Sequence, residues 1–97
     1  MSFATEISET IIFNEINVYP NPVINQYTIL IKNASGVSQQ GEITLYTTSG
    51  VLLSQERIQI VGAEQSIQMS RGTLAGGTYI LRVSVGSEVS TIKLLIQ

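Results

Sequence analysis

Apolar and polar residues alternate with a period of two along most of this chain. In Gln26–Lys32, the apolar side chains of Tyr27, Ile29 and Ile31 fall on one face. The segment 79–85 repeats the pattern, with apolar side chains at every odd position and polar ones at 82 and 84. Such alternation is typical of strands with one buried face, and helical periodicity is hard to find. The pattern therefore predicts a protein built from β-strands.

The alternating segments predict about seven strands. They are expected at residues 11–18, 26–32, 42–48, 51–60, 64–69, 77–85 and 88–96. Glycine or proline lies at or between the boundaries of these segments, where turns are needed. Short strands at regular spacing with such breaks are typical of a β-sandwich. We therefore expect an all-β, Ig-like antiparallel β-sandwich.

The length of the chain allows one folded domain. It has 97 residues, of which 43% are hydrophobic and only 12% are charged. This composition argues against disorder and can supply a single small core. Residues 1–10 lack the alternation and are expected to form a flexible lead-in or linker remnant. Residues 11–97 are expected to fold as the domain.

The side-chain chemistry argues against a catalytic or metal-binding protein. Cysteine and histidine are absent, which removes disulfides, the usual ligands of zinc, copper and haem, and nucleophile–histidine pairs. The seven acidic residues are all glutamate and are scattered, so the sequence shows no Asp-rich calcium loop. A carboxylate pair brought together by the fold is left open, although solvated strand faces are the expected place for these side chains. We expect no cofactor, no metal and no enzymatic activity.

The charge and hydropathy argue against two further classes of partner. The net charge of −2 predicts no basic surface for nucleic acid and no polybasic patch for a membrane. The longest apolar runs, such as 94–96, are far shorter than the roughly 20 residues of a membrane helix. We therefore expect no nucleic-acid binding and no direct membrane insertion. The first residues do not predict a secretory signal peptide.

Two other features of the sequence are candidate binding sites. The glycine-rich segment 72–77 lacks the Gly-Lys-Ser/Thr ending of a phosphate loop and precedes a strand, so it predicts a tight connection. The four tyrosines could form an aromatic platform for sugar or nucleic acid. Tyr27 and Tyr79 lie on apolar strand faces, however, and are expected to pack in the core. These residues alone leave the function open, because a sandwich fold does not specify one.

Several short blocks follow one another along the chain in a distinctive order. They are Val18–Pro22 (VYPNP), Ile43–Tyr46 followed by Gly50–Leu52, Leu74–Val83 (LAGGTYILRV), and a last strand containing Lys93. This succession resembles the type A C-terminal sorting domain of the type IX secretion system, known from Bacteroidota. The resemblance extends from about Val18 to Gln97.

The resemblance implies an Ig-like, non-catalytic domain that directs a larger cargo protein across the outer membrane. It also implies partners, namely an outer-membrane shuttle that recognises the domain, a sortase that removes it, and the translocon. The cargo would be periplasmic in transit and would then reach the cell surface or the extracellular medium. The oligomeric state is left open.

Nine residues match the blocks of this family and are candidates for recognition. They are Tyr19, Pro20, Asn21, Pro22, Gly50, Leu74, Gly77, Tyr79 and Lys93. Two positions depart from the family pattern. Thr47 stands where an acidic residue is common, and Ile92 stands where a second basic residue often precedes Lys93.

The same residues are expected to act in folding. Pro20 and Pro22 cannot donate ladder hydrogen bonds, so they should end the first strand and hold the next segment extended. Asn21 should bond its neighbouring backbone and stabilise the bend. Gly50 should allow the hairpin, and Gly77 should relieve crowding.

The last predicted strand is a candidate for docking, by edge addition or by insertion into the shuttle, because a sheet edge offers unpaired backbone groups. Lys93 is expected to be either a contact residue or an exposed charge that discourages unwanted strand pairing. Two alternatives remain open. One is an Ig- or fibronectin-like surface module that binds carbohydrate or protein, in which Tyr19 or Tyr46 would contact the carbohydrate. The other is a spacer in a repetitive adhesin.

Overall fold

The structure, a computed structural model, describes residues 14–97. Within that range it consists of strands and turns without a helix. The strands are β1 (Glu15–Tyr19), β2 (Gln26–Lys32), β3 (Gln39–Thr47), β4 (Leu52–Ile60), β5 (Glu64–Ser70), β6 (Gly77–Val85) and β7 (Glu88–Ile96). All the predicted strands are present, although β3 begins at Gln39 rather than at residue 42. The predicted lead-in at 1–10 and the first positions of the first predicted strand, 11–13, lie outside the described residues.

The strands form two antiparallel sheets. One has three strands in the order β1-β2-β5, and the other has four in the order β4-β3-β6-β7. The β1–β2, β3–β4 and β6–β7 connections stay within one sheet, whereas the other connections cross between the sheets. This arrangement confirms the predicted all-β, Ig-like sandwich.

The alternating apolar residues meet between the two sheets. In β2, Tyr27, Ile29 and Ile31 are buried, as their spacing predicts. The whole set of buried apolar residues is Val23, Tyr27, Ile29, Ile31, Ile43, Leu45, Ile60, Leu81, Val83, Val85, Leu94 and Ile96. Burying one such side chain contributes about 1.5–3 kcal/mol, so this core is the main force that holds the sheets together.

The turns gather at the two ends of the sandwich, because all paired strands are antiparallel. We name these ends by the segments that they carry. The motif end carries 20–25, 48–51, 71–76 and 93–97, and the opposite end carries 33–38, 61–63 and 86–87.

A buried asparagine closes the opposite end. Asn33 is only 1% exposed, and its side-chain amide donates to the carbonyl oxygens of Val37 at 2.7 Å and Gly62 at 3.0 Å. Its side-chain oxygen accepts from Ser35 Oγ at 3.1 Å and from Gln39 Nε2 at 2.8 Å. The amide is therefore satisfied at both atoms, which is the condition for burying it without a large penalty.

Candidate recognition site

Residues that match the family blocks are far apart in the sequence but lie together in the structure. The connection after β1, the β3–β4 turn, the loop before β6 and the last residues of β7 all lie at the motif end. This end therefore collects all nine candidates: Tyr19, Pro20, Asn21, Pro22, Gly50, Leu74, Gly77, Tyr79 and Lys93. The candidate site is thus a surface assembled from four segments.

The side chain of Asn21 pairs with the backbone of β7. Its Nδ2 donates to the carbonyl oxygen of Lys93 at 2.9 Å, and its Oδ1 accepts from the backbone N–H of Leu95 at 2.9 Å. These partners are 72 and 74 positions away in sequence. The prediction of a bond to neighbouring backbone was therefore wrong, because the amide is turned towards β7.

Val23 continues this pairing with its own backbone. Its N–H donates to Leu95 O at 2.7 Å, its carbonyl accepts from Gln97 N at 2.8 Å, and it forms a parallel bridge with Ile96. The side chain of Val23 is fully buried, so the segment is fixed to the core as well. The outer edge of β7 between Lys93 and Gln97 is therefore already occupied, which argues against edge addition at this part of the strand.

The prolines end β1 but do not hold the chain extended. β1 ends at Tyr19, as the missing proline donors predict. The peptide bonds before Pro20 and Pro22 are both cis, and residues 20–22 are bent. The extended segment was therefore a wrong prediction, since the chain leaves β1 and turns so that Asn21 can reach β7.

Arg71 joins three segments of the motif end and was missed in the sequence. Its Nη1 donates to the carbonyl of Ile24 at 2.8 Å and to the main-chain oxygen of Gln97. Its Nε and Nη2 both donate to Leu74 O, at 3.2 and 2.9 Å, and Leu74 itself packs against the core. Arginine suits this task because its planar group presents several donors in fixed directions. A lone cation in a predicted turn gives no sign of such partners.

The loop before β6 is held by Tyr79. Its ring packs against the core, as predicted, and its hydroxyl donates to Ala75 O at 2.6 Å. Gly77 has φ of 154°, and no atom lies within 4 Å of where a Cβ would be, so crowding is not the reason for this glycine. The reason is the backbone angle. Close packing occurs instead at Gly76, where a Cβ would lie 3.2 Å from the main-chain carbon of Gln97.

The β3–β4 turn explains the first departure from the family pattern. Gly50 has φ of 94°, which confirms that a glycine allows this hairpin. The hydroxyl of Thr47 accepts from Val51 N at 3.0 Å and lies 2.9 Å from Ser49 Oγ. An acidic side chain could accept the same backbone hydrogen bond, so Thr47 supplies the acceptor that this turn needs.

The second departure reflects which face of β7 a residue occupies. Ile92 lies on the inner face and packs against the core. Lys93 lies on the outer face, where it is exposed. Lys93 therefore contributes its carbonyl oxygen, which accepts from Asn21, and presents its side chain to solvent.

The tyrosines do not form a shared platform. Tyr27 is buried, as predicted, and desolvation raises its pKa, with a further contribution from the charge of Glu56. Tyr79 packs against the core. Tyr19 and Tyr46 lie on the outer faces of different sheets, so they cannot stack on one ligand.

Other kinds of site find little support in residues 14–97. No group of three or more acidic, histidine or cysteine side chains in this range could hold a metal. Nor does the described part of the chain contain a helix long and apolar enough to span a membrane. A cleft of about 460 Å³ at the opposite end has Glu88 as its one titratable lining residue, which gives no acid–base pair for catalysis.

Comparisons with known proteins gave a family match and several structural matches. The family model of the secretion system C-terminal sorting domain matches residues 17–97. The crystal structure of dimeric latent PorU from Porphyromonas gingivalis superposes with a TM-score of 0.75 at 18% identity, covering 91% of this chain and 10% of that one. The search of curated proteins gave no match.

Two further solved structures share the fold. The CARDB domain of the PF1109 protein from Pyrococcus furiosus, in complex with di-metal ions, has a TM-score of 0.58 at 13% identity and covers 96% of this chain and 95% of that one. A β-glucosidase from Listeria innocua in complex with glucose has a TM-score of 0.50 at 13% identity, and the match covers 93% of this chain and 17% of that one. At these sequence identities the matches inform on the fold alone. The chain spans about a tenth of the length of PorU.

Proposed function

Because this chain belongs to the family of secretion system C-terminal sorting domains, we propose that the export machinery recognises it by the folded surface of the motif end. The family assigns it to type IX secretion as a sorting signal, by which a cargo protein passes outward. The family is non-catalytic, and its role implies interaction with the secretion machinery. The proposal concerns which surface is read and by which partners.

The observation that carries the proposal is that segments 20–25 and 71–76 bond to residues 93–97, at the end of the sandwich that also carries the β3–β4 turn. Asn21 and Val23 bond to residues 93–97, and Arg71 bonds to Gln97 and to the loop before β6. Most of these contacts fix the backbone, so the matching residues act mainly as fold determinants. Recognition then acts on the rigid surface that they create.

This surface offers apolar side chains that a partner can cover. Tyr19, Ile24, Val51 and Leu95 are 48%, 61%, 57% and 39% exposed, and all four lie at the motif end. Buried apolar and aromatic side chains supply much of the energy of protein interfaces. An outer-membrane shuttle that contacts the folded motif end would bury these residues without removing Asn21 and Val23 from β7.

The remaining steps of export occur before and after the machinery recognises the domain. The cargo would cross the periplasm with the domain attached and would pass through the translocon at the outer membrane. A sortase would cut before β1, because a cut within the paired strands requires their separation. The cargo would then be released or anchored at the cell surface, and the domain itself would have no activity.

A fusion experiment tests the proposal. The 97-residue chain is attached to the C-terminus of a periplasmic fluorescent protein in a bacterium that has the type IX system. We expect fluorescence at the surface or in the medium, and none there in a strain that lacks the translocon. If the fusion stays in the periplasm while a native cargo is exported, the proposal is wrong.

A further inference from the structure

The outer face of the four-stranded sheet carries an organised group of side chains. The strand register places Tyr46, Ile80 and Lys93 in one row across β3, β6 and β7. The neighbouring row contains Thr44 and Arg82. Tyr46 and Ile80 are only partly buried, and both cations are exposed. An aromatic ring and an aliphatic side chain therefore lie beside two positive charges.

Arg82 and Lys93 differ from the third cation of this face, Arg57, in having no ionic partner within the described part of the chain. Among residues 14–97, neither Arg82 nor Lys93 lies within ion-pair distance of an acidic side chain. The other three cations of the chain are engaged: Lys32 with Glu15 at 3.6 Å, Arg57 with Glu42 at 3.8 Å, and Arg71 with main-chain carbonyls. In a chain of net charge −2, this face is a local exception that favours an anionic partner.

The face also has two shallow depressions that can receive side chains of a partner. A depression of about 280 Å³ is lined by Ile80 and the β3–β4 turn as well as by Tyr46 and Arg82. A second, of about 150 Å³, lies on the other side of Tyr46 and Arg82 and reaches Val89 and Glu42. The pair Tyr46 and Arg82 thus separates two shallow hollows.

The carboxylate of Glu42 is engaged by Arg57 at 3.8 Å and by Gln55 Nε2 at 2.6 Å. It therefore does not neutralise Arg82 or Lys93.

We propose that this face binds an extended acidic segment of a partner protein. Arg82 and Lys93 are diagonal neighbours on adjacent strands, a spacing of roughly 7–8 Å. Carboxylates at alternate positions of an extended chain are spaced by roughly 6.6–6.8 Å, so two of them can reach the two cations. An apolar side chain of the same segment would lie against Tyr46 or Ile80.

The geometry favours a protein segment over an anionic lipid surface. Arginine can bind a carboxylate through two parallel hydrogen bonds, and tyrosine and arginine are enriched where protein interfaces gain most of their energy. Two cations are few for a membrane surface, where polybasic segments act through clusters of about four to eight. This inference goes beyond the proposed function, because it concerns the sheet face and not the backbone contacts of the motif end.

An NMR titration of the full chain with two matched peptides tests the inference. The probe peptide alternates glutamate with valine, and its control replaces every glutamate by glutamine. We expect the glutamate peptide to shift the amide signals of Tyr46, Ile80 and Arg82 saturably, and to bind more weakly at higher salt. The glutamine peptide should leave these signals unchanged.

Charge variants make the test specific to the two cations. Arg82→Gln with Lys93→Gln should weaken the glutamate peptide roughly tenfold. Lys32→Gln is the matched control, because Lys32 lies in the other sheet, 3.6 Å from Glu15, and it should not weaken binding. The comparison of the two peptides on the unchanged chain decides the question even if the double variant folds poorly.

Four results would overturn the inference. They are equal shifts with both peptides, an equal loss of binding in Lys32→Gln, and tighter binding of phosphatidylglycerol vesicles than of the peptide through the same residues. The fourth is a gain in peptide affinity when Glu6 and Glu9 are changed to glutamine, which would assign the face to the chain's own N-terminal segment.

Discussion

Asn21 acts as a substitute for a strand residue. A carboxamide carries one acceptor atom and one donor atom with two protons, so a single side chain can satisfy both the Lys93 carbonyl and the Leu95 N–H. Neither proline beside it could donate such a bond from its backbone. The sequence identified Asn21 as important but gave it a local role, because its partners come from a segment at the other end of the chain.

Removing this amide should loosen the end of β7. We expect Asn21→Ala to lower the free energy of unfolding by about 0.5–1.5 kcal/mol and to speed hydrogen exchange at the Leu95 amide. The control is Asn17→Ala, because Asn17 is an exposed asparagine of β1, and it should leave that amide unchanged. Unaltered exchange at Leu95 in Asn21→Ala would contradict the pairing.

Arg71 should contribute more to stability than the exposed arginines. Its charged donors bond to carbonyls of three segments, and such bonds contribute about 1.5–3 kcal/mol each. Because the site is partly exposed, we expect Arg71→Gln to lower the free energy of unfolding in urea by about 1.5–3 kcal/mol in total. Arg82→Gln, on an exposed side chain, should change it by no more than about 0.5 kcal/mol. Equal effects would disprove the special role of Arg71.

Tyr27 should make the fold sensitive to alkali. Its pKa is raised above the ordinary value of 10.0, first by desolvation and then by the charge of Glu56. The folded chain therefore keeps the phenolic proton where the unfolded chain has lost it, and the free energy of unfolding falls with rising pH. This stabilisation is complete below the unfolded pKa of 10.0 and is lost as the pH rises through the folded value.

The check is a series of urea unfolding curves between neutral pH and pH values above 10.0. Tyr27→Phe should flatten the alkaline decline, because phenylalanine has no proton to lose. Tyr19→Phe, which changes an exposed ring, should retain the decline of the unchanged chain. A decline that is equally steep in Tyr27→Phe would show that another group controls alkaline unfolding.

At the scale of elements, the alternation of side chains predicted the strands, and β2, β6 and β7 have the predicted bounds. It did so because each strand has one face in the core, which is a local property of the sequence. The contacts between elements were not predictable in this way. The pairing of Val23 with β7 and the hydrogen bonds of Asn33 depend on distant partners, and short polar segments carry no periodic signal.

Gly41 in β3 also makes contacts between strands that the alternation of side chains did not predict. It lies inside a strand at the closest approach of the backbone to its neighbours, and a Cβ there would lie 2.6 Å from Ser84 O and 2.8 Å from Ile60 Cδ1. We expect Gly41→Ala to lower the free energy of unfolding by about 1–3 kcal/mol, because the carbonyl of β6 cannot move without disturbing the ladder. Thermal unfolding of Gly41→Ala against Gln40→Ala, which changes the exposed neighbour, measures this. Equal stabilities would mean that the strands adjust freely.

At the scale of the whole molecule, the antiparallel topology separates two ends with different roles. The opposite end is closed by the buried Asn33, whereas the motif end carries the β3–β4 turn and holds segments 20–25 and 71–76 against residues 93–97. The family blocks identified the motif residues from the sequence, but not that they share a surface, because only the strand order brings them together. Arg71 completes this surface without a predicted role. Gly76 completes it through its close approach to Gln97, which the predicted tight connection at 72–77 did not include.

The two ends allow a matched test, because each carries two exposed aliphatic residues outside the strands. At the motif end these are Ile24 and Val51, which are 61% and 57% exposed. At the opposite end they are Val37 and Val61, which are 65% and 63% exposed. Glutamate at either pair of positions adds the same charge and removes a similar apolar area. The free energy of unfolding should therefore fall by a similar, small amount in both variants.

Export of the fluorescent fusion carrying each pair of substitutions tests the central claim most directly. The measurement is the fraction of fluorescence outside the cell, with thermal unfolding of both variants confirming that they remain folded. Ile24→Glu with Val51→Glu should abolish most of the export, and Val37→Glu with Val61→Glu should leave it near the level of the unchanged chain. Equal export by the two variants, or a loss confined to the opposite end, would contradict recognition at the motif end.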